Sequence, residues 1–276
     1  MLKRVLFFLL ILLLCIITYF LFSDDNYKKE VVKDDIEFIK EDSISNSKKS
    51  YTDFLLPELT KSQIVVHQIY TLSYSEKDEQ AEWVAYKLFK NSINNSVKRK
   101  GNFRKDLKVI TGSASLNDYK KSGYDRGHLA PAKAMSFSNE TMSESFYMSN
   151  MSPQKPSFNR GVWKKLEEKV RSWISISDSL YIVTGPVLSN PLGKIGENMV
   201  TIPNSYYKSI IRFKNNELFG VGFLLKNEKS KNELASFVVS IDSIEKRTGL
   251  NFFYKLDSVV QNRIEQNSNY QYFLQK

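Results

Sequence analysis

Residues 123–135 read GYDRGHLAPAKAM and include His128, one of two histidines in a chain of 276 residues. Histidine titrates near neutral pH and often serves as a general base. Arg126, two residues earlier, carries a planar guanidinium that pairs with two phosphate oxygens. Gly127 lies between them and allows either a sharp turn or the close approach of another group. Taken alone, this short motif favours a structural turn over a catalytic site.

A second stretch, NRGVWKKLE, changes that balance because it places Asn159 eight residues before Glu167. In a helix, positions i, i+4 and i+8 share a side, so Asn159, Trp163 and Glu167 are predicted to line one edge. An amide oxygen suits a hard, mostly hydrated cation such as Mg²⁺, and a carboxylate can hold one of its waters. Considered singly, Asn159 is better explained as a helix N-cap and Glu167 as a solvated carboxylate.

The positive charge of the chain lies in its larger, C-terminal part. The first 50 residues are balanced between acids and bases, so residues 51–276 carry the whole net charge of +10. Such a basic domain favours a polyanionic partner, with nucleic acid ahead of a membrane surface. Residues 87–108 hold eight Lys or Arg and one Asp. This stretch is either a solvated face or, so close to the histidine motif, a surface that follows phosphates.

The N-terminus predicts a membrane segment and a tether. Residues 5–22 are apolar and uncharged, and 18 residues span roughly 27 Å as a helix. We predict an uncleaved transmembrane anchor over residues 1–22, with a cleaved signal peptide as the alternative. Because Lys3 and Arg4 precede the run, the N-terminus is predicted to be cytoplasmic and the rest to lie in the periplasm or at the cell surface. Residues 23–50 are polar and predict a flexible linker to a domain over 51–276.

Apolar patterning predicts an α+β domain with a largely antiparallel sheet. The single cysteine, Cys15, lies in the apolar run, so the domain has neither a disulfide nor a cysteine metal site. The predicted strands are 64–74, 83–89, 147–153, 179–188, 206–213 and 218–225. The predicted helices are 139–147, 160–174, 241–248 and 257–266.

The motifs together resemble the DNA/RNA non-specific endonucleases, ββα-metal enzymes that include endonuclease G. The resemblance covers most of residues 63–254 and implies a central antiparallel sheet flanked by helices. It rests on seven patches in the family's order: HQIYTLSY, EWVAYKL, GYDRGHLAPA, FYMSNMSPQ, FNRGVWKKLE, YIVTGPVL and SIDSIEKRTGLNFF.

The resemblance also implies roles for individual residues. His128 matches the general base, and Asn159 matches the only protein ligand of the metal. Glu167 matches the carboxylate that orients a water of the cation. Arg126 matches the motif arginine near the phosphate.

Further positions are implied by the same resemblance. Asp125 is expected to anchor the motif, and Asn150 to support the site through hydrogen bonds. An arginine upstream of the motif contacts the phosphate in this family. Arg99 is the best match, Arg104 is a rival, and Lys98 is expected to help bind substrate. The second histidine, His67, is predicted to lie within a strand and to have a structural role.

The predicted function is a metal-dependent endonuclease that hydrolyses DNA and RNA outside the cytoplasm and leaves 5′-phosphate ends. The expected cofactor is Mg²⁺, with Mn²⁺ or another divalent cation as the alternative. The resemblance leaves a homodimer and an inhibitor protein open as partners. Two other functions stay open. One is a degenerate, membrane-tethered protein that binds nucleic acid without cutting it, and the other is a phosphodiesterase for small or lipid-linked substrates.

Overall fold

The computed structural model describes residues 56–58, 60–89 and 97–274. Within these residues the strands are β1 (Gln63–Val66), β2 (Tyr70–Ser75), β3 (Gln80–Phe89), β4 (Asp125–His128), β5 (Met151–Gln154), β6 (Ser179–Val187), β7 (Gly193–Ile195), β8 (Val200–Ile202), β9 (Ser205–Lys214), β10 (Glu217–Lys226) and β11 (Val238–Val239). The α-helices are α1 (Leu116–Tyr119), α2 (Asn139–Glu144), α3 (Pro156–Phe158), α4 (Lys164–Trp173), α5 (Ile241–Thr248) and α6 (Ser258–Glu265).

A seven-stranded sheet in the order β1-β2-β3-β6-β9-β10-β11 forms the centre of this described region. All of its pairings are antiparallel. The α+β class and the antiparallel sheet are therefore confirmed. Strands β6 and β9 are long and almost wholly buried, as their β-branched and aromatic composition predicts.

Helices cover both faces of the sheet. On one face, the predicted apolar stripe of Val162, Leu166, Val170 and Trp173 is buried against residues of β3, β6 and β9. On the other face, the apolar sides of α5 and α6 pack on β9 and β10. The stripe spacing of three to four residues explains why α4 buries one side and leaves its lysines in solvent.

A smaller unit carries the two motifs. Strands β4 and β5 form an antiparallel pair, and the chain then enters α3 and α4, which gives the ββα order that the resemblance implies. Ser152 of β5 is hydrogen-bonded to Gln80 of β3 and to Tyr206 of β9. These buried contacts fix the small strand pair on the central sheet.

Two predicted strands differ in detail from the structure. The single strand predicted over 64–74 is a hairpin, in which the His67 amide donates to the Tyr70 carbonyl between β1 and β2. His67 therefore lies just after a strand rather than within one. In the strand predicted over 147–153, Met148–Asn150 form a 3₁₀ turn and only the remainder is extended. Apolar runs show that a segment is buried but not where it reverses.

Among the described residues, no helix is long and apolar enough to cross a bilayer. The anchor predicted over 1–22 and the linker predicted over 23–50 lie outside the described residues. Both stay predictions, as does the division of the chain at residue 51.

Candidate active site

The DRGH motif forms a strand rather than the sharp turn that its glycine allows. Residues Asp125–His128 are β4 in full, paired with β5. Gly127 is required for space, because a Cβ at this position would lie 2.2 Å from the side chain of Gln154. Gln154 is fully buried, so a larger residue at 127 would disrupt the packing of the two strands.

Asp125 joins the two motifs directly. Its carboxylate accepts a hydrogen bond from Asn159 Nδ2 at 2.9 Å and two from the Arg160 guanidinium at 2.9 and 2.7 Å. Burial by itself would raise the pKa of Asp125, but the hydrogen bonds from Arg160 and Asn159 outweigh it and hold the pKa below its usual value. Because Nδ2 of Asn159 is occupied by Asp125, its amide oxygen is the atom left to meet a cation. The structure therefore gives Asp125 an anchoring position, and Arg160 is a partner that sequence reasoning did not single out.

The predicted alignment of Asn159, Trp163 and Glu167 along one helix edge is wrong for Trp163. The residues Asn159–Trp163 form a π turn, with non-helical backbone angles at Gly161, so regular helical spacing does not hold. Trp163 is fully buried against the sheet. Asn159 and Glu167 are both partly exposed.

His128 is enclosed by aromatic rings and arginines. Its imidazole lies 5.0 Å from the ring of Phe146 and 5.7 Å from that of Phe103, centroid to centroid. The Arg126 guanidinium lies 4.3 Å from the centre of the Phe103 ring, and that of Arg99 lies 5.3 Å from the centre of the Phe146 ring. Burial and the charges of Arg99 and Arg126 lower the pKa of His128 to about 3. The imidazole is therefore neutral at neutral pH, and its Nε2 has no hydrogen-bond partner among the described residues.

The two rival upstream arginines lie in different surroundings. The Arg99 guanidinium lies over the ring of Phe146, which packs on His128, so Arg99 faces the site. Its charge acts on the pKa of both His128 and Glu167. Arg104 stacks 3.9 Å from the ring centre of Tyr147 and donates to the Ser143 carbonyl at 2.8 Å. The guanidinium of Arg104 is thus already engaged in local structure.

The lysine predicted to help bind substrate lies next to the arginine that faces the site. Lys98 is exposed in the segment that leads to Arg99. Its ammonium group is therefore accessible to a polyanion that approaches the site.

Glu167 lies where several positive charges meet. Burial raises the pKa of its carboxyl group, and the charges of Lys208, Arg171 and Arg99 oppose that rise in decreasing order. Lys208 belongs to β9 and is completely buried. Sequence reasoning missed Lys208 and Arg171. A lysine within a predicted strand rich in tyrosine and isoleucine was the signal available for Lys208.

Asn150 supports the segment that follows His128. Its Oδ1 accepts from the Ala130 amide at 2.9 Å, and its Nδ2 donates to the Ala130 and Ser145 carbonyls at 3.0 and 2.9 Å. The side chain is fully buried. These bonds have the supporting geometry that the resemblance implies.

The buried polar atoms around Asn159 suit a hydrated cation. Both amide atoms of Gln154 are buried without a hydrogen-bond partner in the described part of the chain. Gln154 pairs with Asp125 across the two strands, which places it beside the carboxylate that holds Asn159. Unpaired buried amides are costly, and the waters of a hydrated ion can donate to such an amide oxygen. The donor set of one amide oxygen and a nearby carboxylate fits a hard divalent ion such as Mg²⁺ or Mn²⁺.

Comparisons with known proteins agree with this arrangement. A family model described as DNA/RNA non-specific endonuclease matches residues 52–259. The chain belongs to that family. It is accordingly a DNA/RNA non-specific endonuclease, a phosphodiester hydrolase, and the family prediction is confirmed.

Individual members of the endonuclease family resemble the chain over most of its length. A nuclease of Nostoc sp. is 32% identical over 215 residues, which are 73% of this chain and 77% of the relative. Human mitochondrial endonuclease G is 32% identical over 210 residues, which are 69% of each chain. A crystal structure of an EndoG/EndoGI complex matches with a TM-score of 0.69 and 31% identity, covering 73% of this chain and 89% of that one. The family comprises divalent-metal-dependent nucleases.

Proposed function

We propose that this endonuclease cleaves both DNA and RNA with His128 as its general base and one Mg²⁺-type ion bound at Asn159. The products are expected to carry 5′-phosphate and 3′-hydroxyl ends. One observation carries the proposal. A neutral histidine, subject to the charges of two arginines, lies on the strand whose Asp125 orients the candidate metal ligand.

The nucleic acid is expected to enter through its phosphate groups. Arg99 and Arg126 provide the positive charge beside His128, and Lys98 extends that charge along the surface. Backbone contacts of this kind carry no direct sequence information, which fits cleavage without base preference. An incoming phosphate partly neutralises the arginines that lower the pKa of His128. The pKa of His128 is therefore higher when nucleic acid is bound, and His128 becomes a better proton acceptor.

The protein side chains have distinct tasks in this scheme. His128 accepts the proton of the attacking water, while Arg99 and Arg126 hold the phosphate in place. Asn159 and Glu167 would hold the hydrated ion, and Asp125 keeps the Asn159 amide oriented. The ion supplies charge neutralisation for the phosphate and the leaving 3′ oxygen.

The proposed localisation and the proposed lipid partner rest on the sequence of residues that lie outside the described part of the chain. We propose that residues 5–22 lie in a lipid bilayer and that the nuclease domain lies outside the cytoplasm. The apolar run and the two preceding basic residues support this proposal. Protease added to cells stripped of any outer membrane and cell wall should digest the domain but spare the anchor, and a domain that stays protected would contradict the proposed orientation.

Two protein partners are part of the proposal. The matched EndoG/EndoGI complex concerns the mechanism by which EndoG is inhibited, so we propose that an inhibitor protein also binds this nuclease. We further propose a homodimer, which light scattering of the purified chain would test by its mass.

The experiment that tests the proposed chemistry uses the purified full chain in detergent. Supercoiled plasmid and single-stranded RNA are incubated with Mg²⁺, with Mn²⁺ and with EDTA, and His128→Ala is run in parallel. Cleavage of both substrates that needs the ion and is lost in the variant is expected. Products should accept a 5′ label from polynucleotide kinase only after phosphatase treatment. Binding of nucleic acid without cleavage under either ion would favour a tethered receptor instead.

A further inference from the structure

A cavity of about 310 Å³ lies beside the turn that carries the candidate metal ligand. One wall is Val162, which belongs to the same π turn as Asn159 and follows it by three residues. Another wall is the segment 226–232 at the end of β10, and Leu225 and Phe237 supply further apolar surface. Ligand pockets in proteins begin at about 300 Å³, so this cavity admits one group the size of a nucleobase but not a duplex.

The polar lining of the cavity carries a net positive charge. Among the described residues that line it, Lys226 and Lys229 contribute cations and Glu228 contributes an anion. Both lysines are exposed, so a phosphate group can replace the water around their ammonium groups. Phe237 is half-buried, so part of its ring is open to a ligand in the cavity. A cationic surface that contains an aromatic ring is the combination that binds single-stranded nucleic acid, because the lysines follow phosphates and the ring stacks on a base.

Asn227 fixes the position of this segment on the catalytic unit. Its side chain is buried, accepts a hydrogen bond from the Lys155 amide at 2.8 Å and donates to the Pro153 carbonyl at 3.0 Å. Pro153 is the residue paired with Arg126 across β4 and β5. Lys155 directly precedes α3, which leads to Asn159. The cavity therefore has a defined position next to the strand and the turn that form the candidate site.

We propose that this cavity is a substrate subsite that holds one unstacked nucleotide of the strand being cleaved. Its base lies against Phe237, and its phosphate binds Lys226 and Lys229. The inference rests on the proposed function, which places the scissile phosphate at Asn159. Because Val162 is only three residues from Asn159, the cavity is within reach of a nucleotide adjacent to the cleaved bond. A base can enter only when it leaves its stack, which costs least in a single strand, so the subsite favours single-stranded DNA and RNA over duplex.

The test measures binding apart from cleavage. The full chain in detergent carries His128→Ala and is titrated in EDTA with a labelled single-stranded DNA and with its duplex, and fluorescence anisotropy gives the Kd at several salt concentrations. Lys229→Gln is then added to remove one cation of the cavity. Lys231→Gln is the matched control, because Lys231 is also exposed and lies two residues away but does not line the cavity. Both variants lower the net charge of the protein by the same amount, so a difference between them reports a local contact.

The expected change in affinity differs from one side chain to the next. Lys229→Gln should weaken binding of the single strand and reduce the slope of log Kd against log salt by about 0.7, the value for one phosphate contact. Lys231→Gln should leave that slope unchanged. Phe237→Leu keeps an apolar side chain but removes the ring, so it should raise the Kd of the single strand by about 5-fold or more, with a smaller effect on the duplex. Glu228→Gln removes the acid of the lining and should tighten binding instead.

Failure of this inference and failure of the proposed function give different results. Cleavage that persists in His128→Ala would contradict the proposed general base but would not alter the binding measured in EDTA. The inference is overturned if Lys229→Gln and Lys231→Gln change the Kd and the salt slope equally, or if Phe237→Leu binds the single strand as tightly as its parent. It is also overturned if the losses are equal for the single strand and the duplex. Should Phe237→Leu fail to fold, the two lysine variants still decide, since both change exposed side chains.

Discussion

The two histidines of this chain lie in surroundings of opposite charge. His67 is buried, with Nε2 2.8 Å from the Asp106 carboxylate and Nδ1 4.0 Å from that of Glu144. His128 lies instead beside Arg99 and Arg126, whose charges act on its pKa. A phosphate would be repelled by the first environment and attracted by the second. The residue type alone therefore does not decide whether a histidine serves structure or catalysis. The sign of the surrounding charge does.

Packing strengthens the contrast between the two regions. The imidazole of His67 stacks on the ring of Tyr147 at 4.9 Å between centroids, and Asp106 also accepts a hydrogen bond from Ser149. This network joins the turn after β1 to the residues that precede β5. The structural role predicted for His67 thus agrees with its contacts, although the sequence around it contains no acid that could have predicted them.

The largest expected effect is loss of cleavage in His128→Ala. Removal of a general base typically lowers the rate by about 10²–10⁴-fold, while nucleic-acid binding through the arginines should persist. His67→Ala should reduce the unfolding temperature and leave the rate per folded molecule near that of the wild type. Plasmid digestion and thermal unfolding of both variants check the contrast. Equal losses of kcat would show that both histidines serve the chemistry.

The second largest effect on cleavage is expected from Arg99→Gln. Losing a charged hydrogen bond to phosphate costs about 1.5–3 kcal/mol, or roughly 10–150-fold in kcat/KM. Because Arg99 lowers the pKa of His128, its removal should raise that pKa and move the acid limb of the kcat/KM profile to higher pH. Arg104→Gln is the comparison variant. Since Arg104 stacks on Tyr147, its loss should affect stability more than kcat/KM, and the reverse pattern would assign the phosphate contact to Arg104.

Asp125→Asn should lower activity by about 10–100-fold, because it weakens the bonds that orient Asn159 and Arg160. A higher concentration of Mg²⁺ should be needed for half-maximal cleavage. Asp118→Asn is a matched control, since Asp118 also ties loops together, through Ser115 and Asn198, and its pKa is likewise lowered. An equal Mg²⁺ requirement in both variants would contradict the orienting role of Asp125.

The smallest effect on catalysis is expected from Asp106→Asn, which should act on stability. Burial by itself would raise the pKa of Asp106, but hydrogen bonds from His67 and Ser149 outweigh it and lower the pKa. The ionised carboxylate therefore stabilises the fold above its ordinary pKa, and this contribution is lost as pH falls through the lowered value. At neutral pH the variant should lose about 1–3 kcal/mol of unfolding free energy. Denaturant titrations should show the difference shrinking in acid, and a constant difference would exclude Asp106 as the titrating group.

The amino-acid sequence by itself determined the antiparallel α+β fold, the apolar stripe of α4, and the family, through patches such as DRGH and NRGVWKKLE. Local periodicity and short motifs suffice for these features because each depends on residues close together in the chain. The residues Asp125, His128 and Asn159 were likewise visible, since each belongs to such a motif.

Only the tertiary structure decided which charges surround each of these groups. The π turn at Asn159–Trp163 removed Trp163 from the predicted edge and buried it over Lys208, which lies 45 residues away in the sequence. Arg99 and Arg104 are five residues apart and equally basic, yet one faces His128 and the other stacks on Tyr147. His67 meets Asp106 across 39 residues. Electrostatic and packing forces act through distances in space, and the fold alone sets those distances.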